Sequence, residues 1–126
     1  MKKQTGKYVD GFVLVVPKNK ISDYKKMAEL GKKIWMKHGA LEYMECMMDD
    51  GKPKGVTFPF PKMMSAKPTE VVWFSYIVFK SRTHRDQVNK KVMSDPAMND
   101  PMYTEKSMPM DMKRFAYGGF NVVVSG

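Results

Sequence analysis

Two long apolar runs, 8–16 (YVDGFVLVV) and 70–79 (EVVWFSYIVF), alternate with two amphipathic stretches in the order strand, helix, strand, strand, helix, strand. That order predicts an α+β fold of ferredoxin-like βαββαβ topology, an antiparallel sheet with both helices on one face. The length of 126 residues is that of one domain. The expectation is therefore a single ferredoxin-like domain over 1–126, with 1–7 as a flexible tail.

Residues 8–16 are rich in β-branched and aromatic side chains and stop at Pro17, as a strand does. Tyr8, Asp10, Phe12, Leu14 and Val16 share one face. The second half is apolar on both faces, which places the strand centrally. Gly11 marks a bulge or a close backbone approach. Over 21–38, Tyr24, Met27, Ala28, Gly31, Ile34 and Trp35 recur at helical spacing, with lysines mostly opposite. Ser22 is the expected N-cap and Gly39 the expected C′ residue. Gly31 within the helix costs about 1 kcal/mol against Ala, which close packing on the sheet would offset.

Residues 40–48 alternate as a second strand, and Glu42 and Glu45 indicate an edge strand or one lining a wet cavity. The connection 49–69 is long and rich in Pro and Gly; loops of that length are usually functional or mobile. Short extended pieces over 56–64 are expected there, covering a pocket. Residues 70–79 are the most apolar run, interrupted only by Ser75, and read as the second central strand. A helix over 81–93 is capped by Ser81, with Val88 and Val92 on a thin apolar stripe. Pro96 ends it, and Asp95 caps a short helix that buries Met98 and Met102. The last strand, 114–124, is expected beside the first, with Gly118-Gly119 permitting a bulge.

The chain carries 22 basic and 13 acidic residues, for a net charge of +9. The lysines lie in scattered pairs among acids, so the charge reads as a solvated surface rather than a nucleic-acid interface. No run approaches ~18 apolar residues, so no membrane span is expected, and the N-terminal residues do not read as a signal peptide. Cys46 is the single cysteine, which fits a reducing, cytoplasmic setting. Methionine occurs 14 times; the cluster at 108, 110 and 112 points to an adaptable pocket rim or subunit interface. The outer sheet face is too apolar to stand in water, and a homodimer is its simplest cover.

The phrases 7–12 (KYVDGF), 93–98 (MSDPAM) and 108–120 (MPMDMKRFAYGGF) together resemble the YbaA-like uncharacterised bacterial family, a domain of unknown function in the dimeric α/β-barrel superfamily. The likeness runs from about Lys7 to Val124. This chain departs from the family phrase at Met110, Met112 and Ala97, where Phe, Gly and Arg are usual. The resemblance implies a ferredoxin-like fold and a homodimer. It implies no reaction, since relatives across the superfamily include monooxygenases, isomerases and regulators.

Asp10, early in a central apolar strand, must be paired or have a raised pKa if buried. Arg114, on a neighbouring strand, is its expected partner, either as a structural pair or as a site. Asp10, His38 and Arg114 are thus the candidate catalytic residues. Trp73, Tyr76 and Tyr117, with Trp35, are the candidate walls for an apolar ligand. His38 and His84 do not stand at metal-ligand spacing, Cys46 has no nucleophile signature, and no phosphate-loop frame surrounds the glycine doublet, so neither metal nor cofactor is expected. The expected function is binding of a small, partly apolar molecule in a pocket on the sheet of a cytoplasmic homodimer. Two alternatives stand beside it: a cofactor-independent monooxygenase or isomerase, and a non-catalytic regulatory or interaction module.

Overall fold

The two most apolar strands are the two central ones. In the computed structural model, which describes residues 6–104 and 108–126, β1 (Tyr8–Pro17) and β3 (Glu70–Phe79) pair antiparallel along their whole length. β2 (Glu42–Met47) and β4 (Ala116–Asn121) flank them, giving the antiparallel order β2-β3-β1-β4. This is the ferredoxin-like arrangement, and the last strand does lie beside the first. Of the expected tail, 1–5 fall outside the described residues; the Lys7 carbonyl accepts a bond from the Val122 amide at 3.0 Å.

α1 (Ile21–Lys37) and α3 (Arg82–Met93) cover one sheet face. The buried stripe of α1 is Tyr24, Met27, Ala28, Gly31 and Ile34, at the three- and four-residue spacing of one helical face. Tyr24, Met27 and Ala28 pack on Leu14, Val16 and Trp73. Ile34 joins Val88 and Val92 of α3 over Tyr8, Ile77 and Phe79. Burying each large side chain in these layers contributes roughly 1.5–3 kcal/mol. Ser81 caps α3 as expected, accepting from the His84 amide at 3.0 Å. Gly39 takes φ +112° just past the end of α1. Ser22 does not cap α1: the helix begins one residue earlier, continuing a 3₁₀ turn at Lys18–Lys20, with no side-chain cap.

Three further expectations are corrected. The 49–69 connection contains a short helix, α2 (Phe60–Met63), instead of extended pieces. The Met64 that follows it packs on Val15 and Val72, so this loop covers part of the outer sheet face. No bulge occurs at the glycine doublet, because the β1–β4 register runs unbroken from Tyr8↔Asn121 to Val13↔Ala116. Gly119 is needed for space, since a Cβ there would overlap the Tyr8 hydroxyl. Gly11 likewise serves close approach, with the Phe120 ring 3.2 Å from where its Cβ would be.

The last strand starts at Ala116, two residues later than expected. Asp111 accepts from the Lys113 amide at 2.9 Å and so holds Met112–Arg114 in a 3₁₀ turn. That turn aims Arg114 away from Asp10. Arg114 grips Glu70 in a two-pronged pair (Nη2–Oε2 2.6 Å, Nη1–Oε1 3.0 Å) and donates from Nε to Asp111 at 2.8 Å. It thereby ties the start of β3 to the entry of β4.

The bonds from Arg114, then from the Lys67 amide, hold Glu70 down to about 2. A depressed carboxylate contributes stability that is complete above its unfolded value of 4.5 and is lost as pH falls toward about 2. Urea midpoints of wild type and Glu70→Gln should therefore differ at neutral pH and converge through that window. A gap that stays constant with pH would contradict this assignment.

Candidate functional site

Between the helix-covered sheet face, α1 and the segment joining α3 to β4 lies a cavity of about 220 Å³. Phe12 and Leu14 of β1 and Ile77 of β3 form its floor, and Met27, Ala28 and Trp35 of α1 one wall. The remaining wall is built from Met98, Tyr103, Met108, Met110, Met112 and Phe115. Repeated aspartates shape that last wall. Asp95, Asp100 and Asp111 each accept from the amide two residues on, at 2.9, 3.0 and 2.9 Å. Each bond nucleates a 3₁₀ turn, at Pro96–Asn99, Pro101–Tyr103 and Met112–Arg114. Proline follows the first two aspartates, at the position whose missing N–H is not needed. These turns bring Met98, Tyr103 and Met112 over the sheet.

One polar cluster interrupts the apolar surface. Glu45 of β2 projects onto the helix-covered face beside Ser75, its cross-strand partner on β3. Its carboxylate accepts from the hydroxyls of Tyr24 (2.7 Å), Tyr43 (2.8 Å) and Ser75. Burial, then the Glu45 charge, pushes the Tyr24 and Tyr43 phenols well above their ordinary value. Both remain neutral donors across the physiological range. Gly31 makes this cluster possible: a Cβ there would stand 2.8 Å from the Tyr43 hydroxyl. Tyr103, pushed up to about 12 chiefly by burial, donates instead to the Met27 carbonyl at 3.2 Å.

The residues singled out from sequence do not converge on one place. Asp10 is buried, as its position on β1 required, but its partner is Arg85 of α3 (2.9 Å), not Arg114. Tyr117 donates to the same Asp10 oxygen at 3.1 Å, and Asn89 reaches the other at 3.5 Å. Tyr117 also stacks on Phe12, with ring centroids 4.9 Å apart. Burial raises the Asp10 pKa, and Arg85 opposes that rise most strongly. Asn89 accepts from the Trp35 indole at 3.0 Å, so the Asp10 network reaches a wall of the cavity but does not open into it.

His38, at the end of α1, bonds Asp95 at 2.7 Å alongside Lys37 at 3.1 Å, which fastens the turn carrying Met98 to the helix end. His84 accepts the Lys80 amide at 2.9 Å through Nδ1. Among the described residues no three His, Cys, Asp or Glu side chains group as a metal site. Trp73 is buried edge-on against Tyr24, at 4.8 Å between ring centroids, and lines an outer groove between α1 and β2. Tyr76 stands on the opposite sheet face, 3.4 Å from Glu42.

Sequence reasoning missed Glu45 as a centre and Arg85 as a partner. Two signals pointed to the first: an acid in an alternating strand, and the serine that interrupts the most apolar run. Arg85 carried a weaker one, a basic residue on the stripe of a helix otherwise marked by Val88 and Val92.

The Asp10–Arg85 pair is expected to be structural. Asp10→Ala leaves Arg85 and Tyr117 without their shared acceptor and should cost about 3–5 kcal/mol in urea denaturation. Replacing the pair together, Asp10→Leu with Arg85→Met, should recover most of that loss. A single-variant loss below about 1 kcal/mol would show that the pair holds little.

Residues 7–112 match the family model described as "Protein of unknown function (DUF1428)". The chain is 41% identical over 118 residues to the uncharacterized protein YbaA of Escherichia coli K12, covering 94% of this chain and 97% of that protein. The YbaA protein of Shigella flexneri matches with the same identity and coverage. No helix among the described residues is long and apolar enough to cross a membrane. The family match over most of the chain leads to one assignment: the protein belongs to the DUF1428 family of unknown function, and it is similar to the bacterial YbaA proteins.

Proposed function

We propose that this protein binds a small, largely apolar molecule in the cavity over β1 and β3, and does so as a cytoplasmic homodimer. The observation that carries the first part is the cavity itself: about 220 Å³ of largely apolar space with one polar cluster, Glu45 and the hydroxyls that bond it. A cavity of roughly 150 Å³ suffices for benzene, while drug-sized ligands occupy about 300–1,000 Å³. The fitting ligand is therefore about one and a half benzene rings in size. The methionine wall suits such a ligand, because unbranched thioethers adapt their shape to what they enclose.

The outer sheet face supports the second part. Phe74 and Phe120 are 45% and 59% exposed there, next to the half-buried Val13, Tyr76 and Val78. A contiguous apolar face of that kind on a four-stranded sheet fits a two-fold, sheet-to-sheet contact. The free, exposed thiol of Cys46 on the same face accords with a reducing compartment.

A thermal-shift screen with toluene, indole and cyclohexanol should raise the apparent stability of wild type, by about 2.7 kcal/mol at a hundredfold excess over Kd. Met110→Trp, which fills the cavity from its adaptable wall, should fold with nearly unchanged stability and lose that response. Equal shifts in the filled variant, or none in wild type, would contradict the cavity reading. In analytical ultracentrifugation, wild type should sediment as a dimer and Phe74→Glu as a folded monomer. A wild-type monomer would overturn the dimer.

A further inference from the structure

We propose, on the reading that this cavity holds a small molecule, that its ligand is a small organic cation: a primary or substituted ammonium group on an apolar body, paired with the Glu45 carboxylate. Asp10 meets Arg85 at 2.9 Å, Asp95 meets His38 and Lys37 at 2.7 and 3.1 Å, and Glu70 meets Arg114 at 2.6 Å. Each of these packed carboxylates has a basic partner. Glu45 has none among the described residues. Its partners are the neutral O–H groups of Tyr24, Tyr43 and Ser75.

Three hydroxyls orient a carboxylate and solvate it, but they do not neutralise it. On its cavity side the half-buried carboxylate faces apolar walls, where attraction to a counter-charge is less screened than in water. Two oxygens offer about four acceptor positions, and three are taken, which leaves room for one further donor. Glu45 also borders the outer groove between α1 and β2, where Lys25 and Lys32 stand, but neither forms an ion pair with it; Lys32 is engaged with Glu29 at 2.9 Å. The counter-ion that fits the cavity side is the ligand's own.

The walls agree with a cation. Tyr24, Trp35, Tyr43 and Tyr103 place aromatic rings around the site, and ring faces attract ammonium groups. An anionic ligand would meet Glu45 with like charge. A neutral alcohol would fill the free acceptor position but leave the charge unbalanced.

The test compares two ligands of one shape on the intact protein by isothermal titration calorimetry near pH 7: cyclohexylammonium and cyclohexanol. Cyclohexylammonium should bind at least about tenfold more tightly, from one charge-assisted bond and ring contacts. Glu45→Gln, which keeps an acceptor oxygen for two of the hydroxyls, should abolish that preference. Equal or weaker binding of the ammonium to wild type overturns the proposal and leaves the cavity reading standing. Binding of neither ligand overturns both. The wild-type comparison stands by itself if Glu45→Gln fails to fold. Should Glu45→Gln fold and keep the ammonium preference, the charge that selects it lies elsewhere and the proposal fails.

Discussion

Two carboxylates stand on the helix-covered face of one sheet, Asp10 buried and Glu45 half-buried, and withdrawing a charge from water is costly unless it is compensated. The chain meets this constraint in two ways. Asp10, at the α3 end, receives a guanidinium from Arg85, a phenol from Tyr117 and an amide from Asn89. That arrangement docks α3 onto β1 and β4 and leaves no charge over. Glu45, at the α1 end, receives only hydroxyls. One end of the face is therefore closed electrostatically, and the other retains a negative charge beside a cavity.

The surrounding architecture serves that second arrangement. Gly31 sacrifices helix propensity so that the Tyr43 hydroxyl can pass under α1 to reach Glu45. Ser75 places a hydroxyl in the middle of the most apolar strand, directly across from Glu45. The aspartate-nucleated turns between α3 and β4 hold aromatic and thioether groups over the opening. His38 and Lys37 fix the first of those turns through Asp95, whose carboxyl lies well below its ordinary range because the Ala97 amide, His38 and Lys37 all donate to it. Local turn chemistry, helix packing and site geometry thus converge on one side of the sheet.

Much of the fold could be read from the sequence because it depends on periodicity. Runs apolar on both faces identified β1 and β3 as central, and three- and four-residue spacing identified the buried stripe of α1. Ser81, Asp95 and Gly39 announced helix ends through capping chemistry. What could not be read was which polar groups meet. Strand adjacency was correct for β1 and β4, yet the register sets Asp10 opposite Gly119, five residues past Arg114. Arg85 reaches Asp10 from 75 positions away, through the rotation of a helix that no sequence spacing specifies. Glu45 looked like an edge-strand acid, and it is one. Its importance arises only where Tyr24 of α1 and Ser75 of β3 converge on it. The candidate walls divided for the same reason: Tyr76 and Tyr117 lie on opposite sheet faces, as alternation requires once register is known.

The most direct test of the central claim, that Glu45 is the anchor of a cation-binding cavity, is a crystal structure of the protein grown with cyclohexylammonium. The ligand nitrogen should stand about 2.7–2.9 Å from a Glu45 oxygen, with the ring between the methionine wall and the sheet. An ammonium found only in the outer groove or on the exposed sheet face, with the cavity holding none, would contradict it.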